Sequence, residues 1–137
     1  MLRFVLDIEP PRTTAQQKRI AGRRADGRPY FYDSGKLSQA RGALQTALFP
    51  NKPDEPMQGC LALNVEWVFS TPDSKKWGKF KRTRPDTDNL QKMLKDEMTR
   101  MGFWGDDAQV AVEHVEKYWD IDGRIVICIE ELEEKRV

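Results

Sequence analysis

At 137 residues the chain has room for one domain with its own apolar core. Its 39% hydrophobic and 33% charged residues exclude a disordered chain, and no apolar run nears the roughly 20 residues of a membrane span. The formal net charge of +1 hides a segregation: residues 12–28 carry +5 (Arg12, Lys18, Arg19, Arg23, Arg24 and Arg28 against Asp26), residues 75–84 carry +6, and the rest carries −10. A chain that separates its charges in this way can face a polyanion while staying near neutral overall.

In chain order, Leu2, Phe4, Leu6 and Ile8 alternate with other residues, the period of a strand with one buried face, and Pro10 and Pro11 end it. Asp7 interrupts this apolar stretch too early for a signal peptide, so it reads as part of the fold. Residues 12–28 keep neither period and contain Gly22 and Gly27, which predicts a mobile or partly hairpin-like loop; residues 29–33 read as a short strand. Over 34–48, Leu37, Ala40, Leu44, Ala47 and Leu48 share one helical face, and Pro50 stops the helix. Leu61, Leu63, Val65, Trp67 and Phe69 then form one side of a strand, followed by a basic loop over 71–84.

The next helix has an apolar stripe of Leu90, Met93, Leu94, Met98 and Met101, with Asp86, Thr87 or Asp88 to cap its start and Gly102 its end. After Phe103 and Trp104 come a Gly105-Asp106-Asp107 turn, a strand over 109–119, a hairpin turn over 120–124 and a last strand over 125–130. The expected architecture is α/β, a single domain spanning 1–137 with a mixed β-sheet packed by two main helices. Cys60 and Cys128 lie far apart among apolar neighbours and are expected as buried free thiols. With a single histidine and no Cys-x-x-Cys pair, a zinc site is not expected, and the cytoplasm is the expected compartment.

The chemistry concentrates where the basic loop runs into the second helix. Asp86 and Asp88 are two residues apart, a spacing that puts both side chains on one side of an extended segment. Paired carboxylates repel, so a cation or protons must neutralise them. Asp106 and Asp107, just past the same helix, offer a third carboxylate. An acidic pocket bordered by Lys75, Lys76, Lys79, Lys81, Arg82 and Arg84, with Arg23 and Arg24 as further basic candidates, suits metal-assisted phosphodiester hydrolysis on DNA. Taken singly, each feature has a plainer meaning: a helix cap, an Asp88–Lys92 ion pair, ordinary turn residues. Trp77 and Phe80, set among the lysines, either anchor the loop to the core or wedge between unstacked bases.

The stretch RPDTDNLQKMLKDEMTRMGFWGDDAQV, from Arg84 to Val110, resembles the signature of the RusA-type Holliday junction resolvases: Asp-x-Asp-Asn-Leu-x-Lys, a helix, then Gly-Phe-x-x-Asp-Asp-x-Gln-Val. The N-terminal half matches only in outline. The resemblance implies a RusA-like, homodimeric crossover junction endodeoxyribonuclease that acts on four-way branched DNA in recombination and repair. It implies Asp86, Asp88 and Asp107 as metal-binding carboxylates for Mg²⁺, with Mn²⁺ as an alternative, and Lys92 as a required lysine at the scissile phosphate. A two-fold dimer would offer two acidic sites to the two opposed strands of such a junction. The competing expectation is a catalytically inactive protein of phage or prophage origin that only grips branched DNA.

Overall fold

The computed structural model describes residues 1–14, 19–23, 25–32 and 35–134, with side chains throughout except in 19–23 and 29–32. The elements are β1 (Leu2–Leu6), β2 (Arg19–Arg23), β3 (Pro29–Tyr32), α1 (Gly35–Leu48), β4 (Leu61–Ser70), α2 (Thr87–Met101), β5 (Val110–Asp120) and β6 (Arg124–Glu131). Four strands form one sheet in the order β1-β6-β4-β5; β4 and β5 run parallel, while β6 is antiparallel to both β4 and β1. This is the expected α/β architecture, a mixed sheet with two helices. β2, in the basic stretch 12–28, pairs antiparallel with β3 just past it as a separate two-stranded sheet, in line with the hairpin side of that expectation.

The alternation in β1 and β4 dictates the core. Phe4 and Leu6, then Leu61, Leu63, Val65, Trp67 and Phe69, then Ile125, Ile127 and Ile129 are buried on one sheet face, against Leu37, Leu44 and Leu48 of α1 and Leu90, Met93, Leu94 and Met98 of α2. Burial of this apolar surface is the main stabilising term, roughly 25 cal/mol per Å² removed from water. Where α1 meets α2, the buried Glu97 accepts from Gln45 at 2.7 Å and from Arg100 at 2.8 Å, so its charge is not left unpaired. The opposite sheet face is open toward its edges, with Arg3, Val5 and His114 exposed, while Ala62 and Val68 of the central β4 are buried there.

Two expectations are corrected. The cysteines are free, but neither is buried: Cys60 is exposed just before β4, and Cys128, alternating with Ile127 and Ile129, turns to the open face. Nor is the turn after β5 a hairpin turn. β5 and β6 lie on either side of β4, so the link 121–123 arches over the end of that strand, where Ser70 registers with Asp120 and Val68 with Arg124. A short glycine-containing link suggests a hairpin, but β4 is the most buried strand, and its backbone needs partners along both edges.

The arch is pinned from two sides. Arg124 pairs with Asp120 at 3.0 Å. The Glu9 carboxylate accepts from the Ser70 backbone at 3.0 Å and from Arg12 at 2.9 Å, and it lies so close to Gly123 that a Cβ there would meet it at 1.9 Å. Among the described residues, no helix is long and apolar enough to cross a membrane.

Candidate active site between the second helix and an edge strand

Helix α2 presents two faces. Its apolar stripe is buried, and Thr87, Asp88, Gln91, Lys92 and Lys95, at helical spacing, face an open groove of about 500 Å³ whose other wall carries Asp107, Glu113 and Val115. Asp88 lies in the first turn of α2, where the free backbone N–H groups favour negative charge. Its carboxylate and that of Asp107 have no protein partner among the described residues. The groove therefore holds Asp88, Asp107 and Lys92 together.

Asp86 is at the N-cap position of α2, but its side chain makes no capping bond, so the expected cap role is not taken up. It is not one of the groove's lining residues; its charge acts on the Lys117 ammonium of β5. The Asp88–Lys92 ion pair, the plainer alternative for these residues, is not formed. Lys92 points the other way along the helix, to Asp96 at 3.6 Å, in an exposed pair worth little on its own. In the turn after α2 the two aspartates divide their work. Asp106 accepts from the Ala108 backbone at 2.9 Å while Gln109 answers its own N–H at 3.0 Å, a capping box that leaves the neighbouring Asp107 to the groove.

Three groove residues escape a reading of motifs alone. The buried Gln91 accepts from the Trp67 indole at 2.7 Å and donates to Glu113 at 2.7 Å, and Lys95 donates to the other Glu113 oxygen at 3.1 Å. This chain ties the groove floor to the core and fixes the Glu113 carboxylate. The signals were there: Gln91 and Lys95 continue the α2 face of Asp88, and Glu113, Val115 and Lys117 share one face of β5 by their period of two.

The basic loop before α2 is more ordered than a solvated charge run. Residues 78–81 lie against the outer edge of β5: Gly78 donates to Trp119, Trp119 to Lys79 and Lys81 to Lys117 through the backbone at 2.8–3.0 Å. Lys81 is only 5% exposed. Its ammonium stacks on Phe69 and Trp119, both at 4.9 Å, and donates to the Thr83 carbonyl at 3.0 Å, the Thr83 hydroxyl at 2.6 Å and the Arg84 carbonyl. Burial, then the charges of Lys117 and Arg12, push its pKa down to about 8. The three protons of Lys81, one of the lysines expected to meet phosphate, are thus engaged within the chain.

Lys76 stacks on Trp119 at 5.5 Å, whereas the side chains of Lys75, Lys79, Arg82 and Arg84 are exposed and have no protein partner among the described residues. Arg24 lies outside the described residues, and Arg23 is described in its backbone only. The two loop aromatics differ in how they meet the fold. Trp77 is 39% exposed and anchors the loop through its indole to the Thr71 carbonyl at 2.8 Å, while Phe80 is 74% exposed and touches the fold through a backbone bridge to Tyr118.

As a donor set, the carboxylates suit a hard divalent cation, and magnesium commonly takes only one or two protein carboxylates and keeps water on its other positions. Among the described residues of one chain, however, no three acidic, histidine or cysteine side chains are gathered closely enough to hold one ion.

The family model for Endodeoxyribonuclease RusA matches residues 10–130. The chain is 34% identical over 131 residues to the crossover junction endodeoxyribonuclease rusA of Lactococcus phage r1t, a match that covers 94% of this chain and 97% of that protein. Both cover the acidic groove, the basic loop and the strands that frame them, and on that extent the chain belongs to the RusA family of endodeoxyribonucleases.

Proposed function

We propose that the protein is a divalent-metal-dependent, structure-specific endonuclease that resolves four-way DNA junctions by paired phosphodiester hydrolysis, in recombination and repair. The observation that carries this reading is the pairing of two carboxylates, Asp88 and Asp107, in one groove with a loop of exposed cations ahead of the same helix, all without a protein partner among the described residues. A pure DNA binder gains nothing from free acids beside a polyanion. Lys75, Lys79, Arg82 and Arg84 hold the backbone of the DNA. Lys92, exposed at the groove, meets the scissile phosphate and stabilises charge that develops there.

Asp86, Asp88 and Asp107 are the residues that would hold Mg²⁺, or Mn²⁺ in its place; when bound, the ion polarises the phosphate and acidifies an attacking water. The protein is read as acting as a symmetric homodimer, the assembly that the family resemblance implies. Such a pair presents two sites to the two opposed strands of a junction.

The test is cleavage of a synthetic four-way junction by the pure protein with Mg²⁺, beside binding measured in Ca²⁺. Asp88→Asn and Asp107→Asn each lower single-turnover cleavage at least about 100-fold while junction affinity holds or improves, because one negative charge near the phosphates is gone. Cutting at the parent rate would remove these residues from the site. A parent that binds but cuts in no divalent metal would make the protein a branched-DNA binder instead.

A further inference from the structure

We infer that Lys81 and Lys117 act as a positioning pair that sets the backbone of residues 83–85, and through it the placement of Asp86 and Asp88, rather than as contacts to DNA. Two ammonium groups from different elements converge on one short segment. Lys81 donates to the Thr83 carbonyl, the Thr83 hydroxyl and the Arg84 carbonyl; Lys117, on β5, donates to the same Thr83 carbonyl at 2.7 Å and to the Pro85 carbonyl at 2.7 Å. Three successive carbonyls directly ahead of Asp86 are thus held by lysines, with the aromatic rings of Phe69 and Trp119 behind one of them.

The surroundings explain why cations do this work. The Thr83, Arg84 and Pro85 carbonyls belong to no strand or helix, and the charge-assisted N–H···O bonds of an ammonium are stronger than neutral ones. Two like charges sharing one acceptor repel, and the Asp86 carboxylate offsets this by acting on Lys117. The segment is held from the loop side by Lys81 and from the sheet side by Lys117, so the first acid of the helix is tied to β5 without itself bonding to the backbone. A displacement of about 1 Å in a reacting group suffices for roughly a 100-fold loss in rate.

This inference rests on the reading of Asp86 and Asp88 as site acids, and its test separates the two. Lys81→Met and Lys117→Met keep the apolar stems and remove the ammonium groups. Hydrogen exchange over residues 82–88 is compared with the parent, together with junction affinity at several salt concentrations and single-turnover cleavage. We expect faster exchange confined to that segment, an affinity within about twofold of the parent with an unchanged salt dependence, and cleavage reduced about 100-fold.

Exchange unchanged from the parent would overturn the inference. So would an affinity that falls in step with cleavage while the salt dependence weakens, which marks phosphate contacts. If the parent itself does not cut, the nuclease reading fails, and the exchange data alone decide whether the clamp exists. Should either lysine variant unfold, Thr83→Val removes only the hydroxyl acceptor from an exposed position. Localised loosening of 82–88 in that variant supports the pair, and parent-like exchange overturns it.

Discussion

Burial holds the Lys81 ammonium at a pKa of about 8, and the charges of Lys117 and Arg12 push in the same direction. An unfolded chain keeps such a proton until about pH 10.4. Between those values the unfolded state binds more protons than the folded one, so this residue's contribution to stability rises with pH across that window and is lost as pH falls through 8. The expected outcome is that the stability difference between the parent and Lys81→Met grows in the parent's favour from about pH 7.5 to about pH 9.5, by at most about 1.4 kcal/mol per pH unit. Urea unfolding of both proteins at the two pH values measures it; a constant difference would mean that the ammonium titrates like an ordinary lysine. Nothing in the sequence set Lys81 apart from Lys75 or Lys79. What separates them is a neighbourhood assembled from β4, β5 and the loop, which no local pattern encodes.

Helix α2 is the element whose sequence and structure agree most closely, and the reason is that its signals are local. The apolar stripe sets the buried face, and Gly102 ends the helix at φ 84°, with its N–H returning to Met98 and Thr99. A Cβ at Gly102 would meet nothing nearer than the Lys52 Cε at 3.8 Å, so the cost of Gly102→Ala lies in the backbone alone. That variant should lose about 1 kcal/mol of stability, seen as a lower denaturation midpoint with unchanged m-value, and Asp107 should stay in place. The opposing wall of the groove was far less legible. Asp107 could be named from its motif, but Glu113 enters the site only because β5 runs parallel to β4 and turns its odd positions toward α2. The hairpin expected at 120–124 failed for a related reason: turn chemistry specifies a reversal of direction, not which strand lies beside which.

For the molecule as a whole, the near-zero net charge conceals a division of the loop cations into committed and free groups. Lys76 and Lys81 stack on Trp119, whereas Lys75, Lys79, Arg82 and Arg84 have no protein partner among the described residues and are the loop cations that the proposed function sets against phosphate. Neutralising Lys79 or Arg82 should therefore flatten the plot of log junction affinity against log salt by about 0.9 for each phosphate that the variant no longer neutralises. A titration over a range of potassium chloride concentrations reads this directly, and a slope that stays at the parent value would place the DNA elsewhere. The arch from β5 to β6 bears on how the chain reaches this state. Its two strands are adjacent in sequence but make no ladder with each other, so each waits for β4 to come between them. β5 and β6 consequently offer no self-sufficient hairpin nucleus. Loop closure over long sequence separations must precede most of the sheet's reward, and refolding should be slow for a chain of this size, with the last two strands gaining protection together.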